Sequence, residues 1–113
     1  LLKSLKPSTR QRFLALRFDF PSPERERAIV IGETGCDPAI ASQLVKLAGS
    51  FRALKEHDLD EAPSTRLLVY AAQLIHGGMD QITACRVALV EALTDDEPTA
   101  AALLEIVNAS FVG

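Results

Sequence analysis

From Pro21 onward the apolar residues recur three and four positions apart, and the chain reads as a series of capped helices. Ser22 with Pro23 behind it opens the first, which runs to about Thr34 and closes at Gly35. Asp37-Pro38 repeats that start signal for a helix with Ile40, Leu44, Leu47, Phe51 and Leu54 on one stripe, ending near Glu56. Residues 57–63 read as a polar loop. Ser64 then caps a helix whose face carries Leu67, Ala71, Leu74 and Ile75, with Gly77 and Gly78 placed to close it in the left-handed conformation. Asp80 caps the next, bearing Ile82, Cys85, Leu89 and Leu93. Thr94-Asp95-Asp96-Glu97 resembles a capping box for a last helix with Ala100, Leu103, Leu104 and Val107 inward. Pro98 fits there only inside the first turn.

The first twenty residues follow another rhythm. Residues 7–13 read as a short helix with Pro7 in its first turn. Leu14, Leu16, Phe18 and Phe20 then alternate with Ala15, Arg17 and Asp19, a period of two that predicts a strand. A lone strand leaves its backbone groups without partners. It therefore belongs to a sheet built from other segments, or to an edge in a dimer. Two units follow: residues 1–20, and a helical unit over 21–113.

Composition narrows the choice. At 48% apolar and 24% charged residues, the 113-residue chain suits one small globular domain. No apolar run approaches the ~18–20 residues of a membrane span, and no signal-peptide pattern stands at the start. Cys36 and Cys85 lack CxxC spacing and read as reduced core thiols of a cytoplasmic protein. The only methionine is Met79, so we read the chain as a piece of a longer protein. Residues 1–20 hold Lys3, Lys6, Arg10, Arg12 and Arg17 against Asp19, or +4, while the other residues carry −7 within a total of −3. A basic segment on an acidic body suits contact with a phosphate or an acidic neighbour, not a broad nucleic-acid face.

Arg66 is the odd residue. It stands in the first turn of its helix, where the macrodipole disfavours a cation by several tenths of a kcal/mol, on the order of 0.3–1. An anion docked there would face both the N–H groups and the guanidinium; the plain alternative is a solvated surface arginine. His76 near a helix end reads as structural, and His57 with Asp58, Asp60 and Glu61 reads as a solvated loop without calcium-loop spacing. Residues 66–90 also spell helix, Gly-Gly turn, helix. A recognition helix beginning Asp80, Gln81, Thr83 with Arg86 as its nearby cation is poorly equipped to read bases, so DNA binding is unfavoured.

Four stretches taken together carry a resemblance. Lys6-Pro7-Ser8-Thr9-Arg10-Gln11-Arg12-Phe13 comes first, then Phe18-Asp19-Phe20-Pro21, and then Ala62-Pro63-Ser64-Thr65-Arg66-Leu67-Leu68-Val69-Tyr70. The last is Ala84-Cys85-Arg86-Val87-Ala88-Leu89-Val90 with Leu93-Thr94-Asp95-Asp96. In this order the series resembles the C-terminal part of MoxR-class AAA+ ATPases, and within them the CbbQ/NorQ/NirQ family, from about Leu5 to Phe111. The resemblance implies a mainly α fold: a helical-bundle lid domain preceded by the last helix and strand of an α/β core. It implies that Arg12, directly before Phe13, is an arginine finger reaching the neighbouring subunit's γ-phosphate, with Arg10 as the fallback. It also implies that Arg66 is a sensor-2 arginine reading the γ-phosphate in its own subunit, with Thr65 adding a hydroxyl or filling the turn. A Gly-rich phosphate loop with its lysine does not occur here, so ATP and Mg2+ would be bound mainly by residues outside this chain. The partners implied are identical subunits in a ring, a hexamer in the family pattern, and a von Willebrand factor A-domain adaptor. The target would be nitric oxide reductase or Rubisco, the former favoured by overall similarity. The rival reading is a free-standing helical interaction module without catalysis; the apolar strand Leu14–Phe20 is a liability there and natural in a core.

Overall fold

A computed structural model describes residues 20–54 and 61–111, in which five helical segments and no strand are found. They are α1 (Pro23–Thr34), α2 (Pro38–Leu54), α3 (Thr65–His76), α4 (residues 81–93) and α5 (Glu97–Phe111). The mainly α reading of this region therefore stands. The expected core helix and strand lie outside the described residues, apart from Phe20, which is in neither.

Short polar side chains set the helix ends. Ser22 Oγ accepts the Arg25 N–H at 3.2 Å, Pro23 occupies the first turn, and Gly35 closes α1 at φ 71° with its N–H on the Ile31 carbonyl. Asp37 Oδ1 accepts the Ala39 N–H at 2.9 Å as α2 begins. Ser64 and Asp80 do the same for α3 and α4, on the N–H groups of Leu67 and Thr83. Each such cap is worth about 1 kcal/mol.

One end narrows the sequence reading and another differs from it. Gly77 is right-handed, at φ −79°, and Gly78 takes the positive φ of 111°. The Gly78 N–H bonds to the Ile75 carbonyl and the Met79 N–H to the Leu74 carbonyl, so of the two predicted closing glycines Gly78 is the left-handed one. At α5 the cap is Asp96, not Thr94. Asp96 Oδ2 accepts both the N–H and the hydroxyl of Thr99, at 3.0 and 2.6 Å, while Thr94 Oγ1 holds the Asp96 N–H. Pro98 then falls in the first turn, where its missing N–H costs nothing.

Packing follows the apolar stripes, with α2 at the centre. Its Ile40, Ala41, Leu44, Val45, Leu47, Ala48 and Phe51 are buried, and burying each large side chain contributes about 1.5–3 kcal/mol. α1 lies on both α2 and α3, α3 on α4, and α5 closes over α2 and α4. Because α3 is flanked on more than one side, its buried face is broader than the predicted stripe. Leu68, Ala71 and Ala72 are buried, and Leu67, Leu74 and Ile75 are half-buried against them.

α4 changes pitch part-way. It runs as an α-helix over Gln81–Cys85, as a π-helix over Arg86–Val90, and as an α-helix again over Glu91–Leu93. The wider turn broadens the inward face and keeps the predicted Cys85, Leu89 and Leu93 buried. Ala88 and Val90 are buried on either side of Leu89, so three successive residues face inward, while Ile82 is only half-buried.

Candidate functional site

The candidate site is the beginning of α3. Ser64 is extended there, at φ −86° and ψ 166°, and its Oγ accepts the Leu67 N–H at 3.3 Å. Thr65 is the first helical residue and Arg66 the second. Arg66 is exposed and makes no hydrogen bond or ion pair among the described residues. One turn further on the same face, Tyr70 is 48% exposed. A guanidinium therefore projects from the positive end of a helix without a counter-charge from the described residues.

Thr65, its neighbour, faces the other way. Its Oγ1 donates to Glu26 Oε2 at 2.7 Å. Glu26 lies on α1 in register with the buried Val30, and at 1% exposure it is the one charged side chain among the described residues that is fully buried. The carboxylate is met by the fork of Arg52, from the last turn of α2: Nη1 donates to Oε1 at 2.9 Å and Nη2 to Oε2 at 2.7 Å. Arg52 Nε donates to the Pro63 carbonyl at 3.0 Å, and its guanidinium lies over the Phe20 ring, 3.6 Å from the centroid. Pro63 is buried, so the end of the predicted polar loop is pinned, not solvated.

Burial by itself would raise the Glu26 carboxyl, but the hydrogen bonds from Arg52 and Thr65 and the guanidinium charge outweigh it. The group is held below the ordinary carboxylate value of 4.5 and stays ionised. With both oxygens engaged, it serves to hold neighbouring elements and not to transfer protons. No stripe analysis predicts this cluster. The available signals were slight: a charge in register with Val30 on an inward face, and an arginine following the core residue Phe51.

The remaining candidates are scattered. Arg10, Arg12 and His57 lie outside the described residues. His76 is exposed at the end of α3. Cys36 and Cys85 are buried free thiols, and burial, with the Asp80 charge adding to it, pushes Cys85 up to about 12, which leaves it inert as a nucleophile. Among the described residues no group of three or more His, Cys, Asp or Glu could hold a metal ion, and no helix is long and apolar enough to cross a membrane. A groove of about 610 Å³ between α2 and α5, lined by Gln43, Lys46, Glu105 and Ser110 among others, contains none of the candidate residues.

The sequence profile described as CbbQ/NirQ/NorQ C-terminal matches residues 26–110. The chain is 57% identical over 108 residues to the denitrification regulatory protein NirQ of Pseudomonas aeruginosa, covering 96% of this chain and 42% of that protein. It is 50% identical over 111 residues to the protein NorQ of Paracoccus denitrificans, covering 98% and 41% respectively. Against the protein CbbQ of Hydrogenophilus thermoluteolus, it is 53% identical over 95 residues, covering 84% and 36%. The chain thus spans about two fifths of the length of these curated relatives.

Proposed function

The chain belongs to the CbbQ/NirQ/NorQ family, and from that premise we propose that residues 21–113 form the lid of an AAA+ motor, and residues 1–20 the end of its core. The motor activates or matures a target enzyme. Arg66 reads the γ-phosphate of ATP from the first turn of the lid helix, and Thr65 fills that turn beside it, its hydroxyl directed to Glu26. The observation that supports this reading is the exposed Arg66 at a helix N-terminus, without a partner among the described residues. A cation there is unfavourable until an anion arrives, and then the dipole and the guanidinium act together. The residues thus fit a phosphate, while Mg2+ and the phosphate loop belong to the rest of the protein.

Arg12 acts across the subunit boundary as the arginine finger of a hexameric ring. Such a group stabilises charge on the transferring phosphoryl oxygens and is worth about 10³-fold or more in rate. The adaptor is a von Willebrand factor A-domain protein. The target is nitric oxide reductase or Rubisco, since relatives from both branches match at similar identity, 57% for NirQ, 50% for NorQ and 53% for CbbQ. Lid closure on the core shifts the subunit interfaces, and the ring passes that shift to the adaptor.

The test is ATP turnover and nucleotide affinity in the parent protein carrying Arg66→Ala. Loss of turnover with the ring still assembled is expected; if both quantities stay within about twofold of wild type, equivalent to about 0.4 kcal/mol, Arg66 is only a surface arginine. Mixing Arg12→Ala subunits with subunits defective in the phosphate loop examines the shared site. Recovery of turnover in the mixture is expected, and its absence argues for a role within one subunit.

A further inference from the structure

Glu26 and Arg52 form the most enclosed ion pair among the described residues, with side chains 1% and 14% exposed. Stability does not explain such a pair well, because apolar residues of similar volume often replace a buried ion pair without loss. Its geometry is more informative. Arg52 directs every part of its guanidinium at a different element: the fork at α1 through Glu26, Nε at the Pro63 carbonyl ahead of α3, and one face at Phe20. Glu26 in turn holds the Thr65 hydroxyl in the first turn of α3. Phe20 stands just before Pro21-Ser22-Pro23, where the chain enters the helical domain. The planar guanidinium allows little latitude, since a fork on a carboxylate, a donated N–H and a stacked ring together fix its plane.

We infer that Glu26, Arg52, Thr65 and Phe20 form a positioning clamp that couples the segment entering the helical domain to the first turn of α3, and so sets where Arg66 stands. Displacing the Phe20 ring releases one face of the guanidinium, and the effect reaches Thr65 through Glu26 over contacts of 2.7–3.0 Å. The coupling itself follows from the geometry alone. Only its consequence for ATP rests on the reading of Arg66 given above.

Amide hydrogen exchange on the parent protein decides the matter, read at Leu67 and Leu68, whose N–H groups bond to Ser64. Phe20→Leu keeps an apolar side chain on a half-buried position and removes the ring. It should speed exchange at these two amides about tenfold, against less than threefold at Leu103 and Val107 of α5. Arg52→Lys keeps the charge, loses the fork, and should accelerate the same two amides. Leu103→Ala, a cavity in the distant core, should instead move all four amides together. The clamp is overturned if Phe20→Leu leaves Leu67 and Leu68 at wild-type rates, or accelerates all four amides equally. It is likewise overturned if Arg52→Lys spares the first turn of α3. In the parent protein Thr65→Val should lower ATP turnover. If Arg66→Ala leaves turnover intact the sensor reading falls, while the exchange pattern still judges the clamp.

Discussion

The two ends of this helical domain are held by different means. Where α1, α2 and α3 meet, a buried carboxylate and guanidinium join three helices and the two segments leading into them. Where α4 and α5 meet, the interior is Cys85, Ala88, Leu89, Val90, Leu103 and Val107, and among the described residues no side-chain hydrogen bond or ion pair joins the two helices. Apolar burial supplies free energy without direction. The α4 end accordingly accommodates a π turn that buries Ala88, Leu89 and Val90 in succession, because any sufficiently apolar surface satisfies its partner. The α3 end permits no such slippage, since displaced hydrogen bonds to a buried charge are lost outright. The directional end is the one that carries Arg66.

The contrast is broken most severely by removing one member of the ion pair. Glu26→Ala leaves Arg52 with no carboxylate, and urea unfolding should register a loss of about 3–5 kcal/mol. The Glu26→Met, Arg52→Met double variant should recover much of that stability while leaving α3 less fixed. Equal loss in the single and double variants would mean that charge pairing is irrelevant here. At the apolar end, Leu103→Ala should cost about 2–5 kcal/mol. Its loss should add to that of Glu26→Ala within about 0.5 kcal/mol, because neither Glu26 nor its hydrogen-bond partners Arg52 and Thr65 lie on α5; a larger coupling would merge the two regions into one.

Acid sharpens the same distinction. Glu26 in the fold titrates below its ordinary value of 4.5, so it stabilises the fold above that pH. That contribution disappears as pH falls through the lower, folded value. Asp96, lowered by the bonds from Thr99, acts in the same direction at the start of α5. Stability measured from pH 6 downward should therefore fall once pH drops below about 4.5, the ordinary carboxyl range, and Glu26→Gln should flatten that fall more than Asp96→Asn does.

Smaller effects separate caps from surface pairs. Ser64→Ala should cost about 1 kcal/mol and speed exchange at Leu67. Arg86→Ala, which removes a pair with Glu91 whose side chains are 44% and 57% exposed, should change thermal unfolding by an amount equivalent to about 0.5 kcal/mol or less. A larger loss would show that the π turn depends on that pair.

Local chemistry was legible in the residues themselves. Ser22, Ser64 and Asp80 announce helix starts, and Gly35 a helix end, because a cap is satisfied within three or four residues of itself. The stripes on α2 and α5 were equally plain, since each faces one continuous core. Arg66 stood out for the same local reason, a cation at the wrong end of a dipole. The errors were few: Asp96 caps α5 in place of Thr94, Ala88 and Val90 are buried beside the predicted stripe of α4, and Ile82 is only half-buried. The tertiary structure alone decided that Glu26 on α1 meets Arg52 on α2 and Thr65 on α3, and that Phe20 lies against that guanidinium. No period along one helix encodes a bond between three of them; that pairing exists only once the apolar faces have brought the helices together and left a buried charge needing a partner.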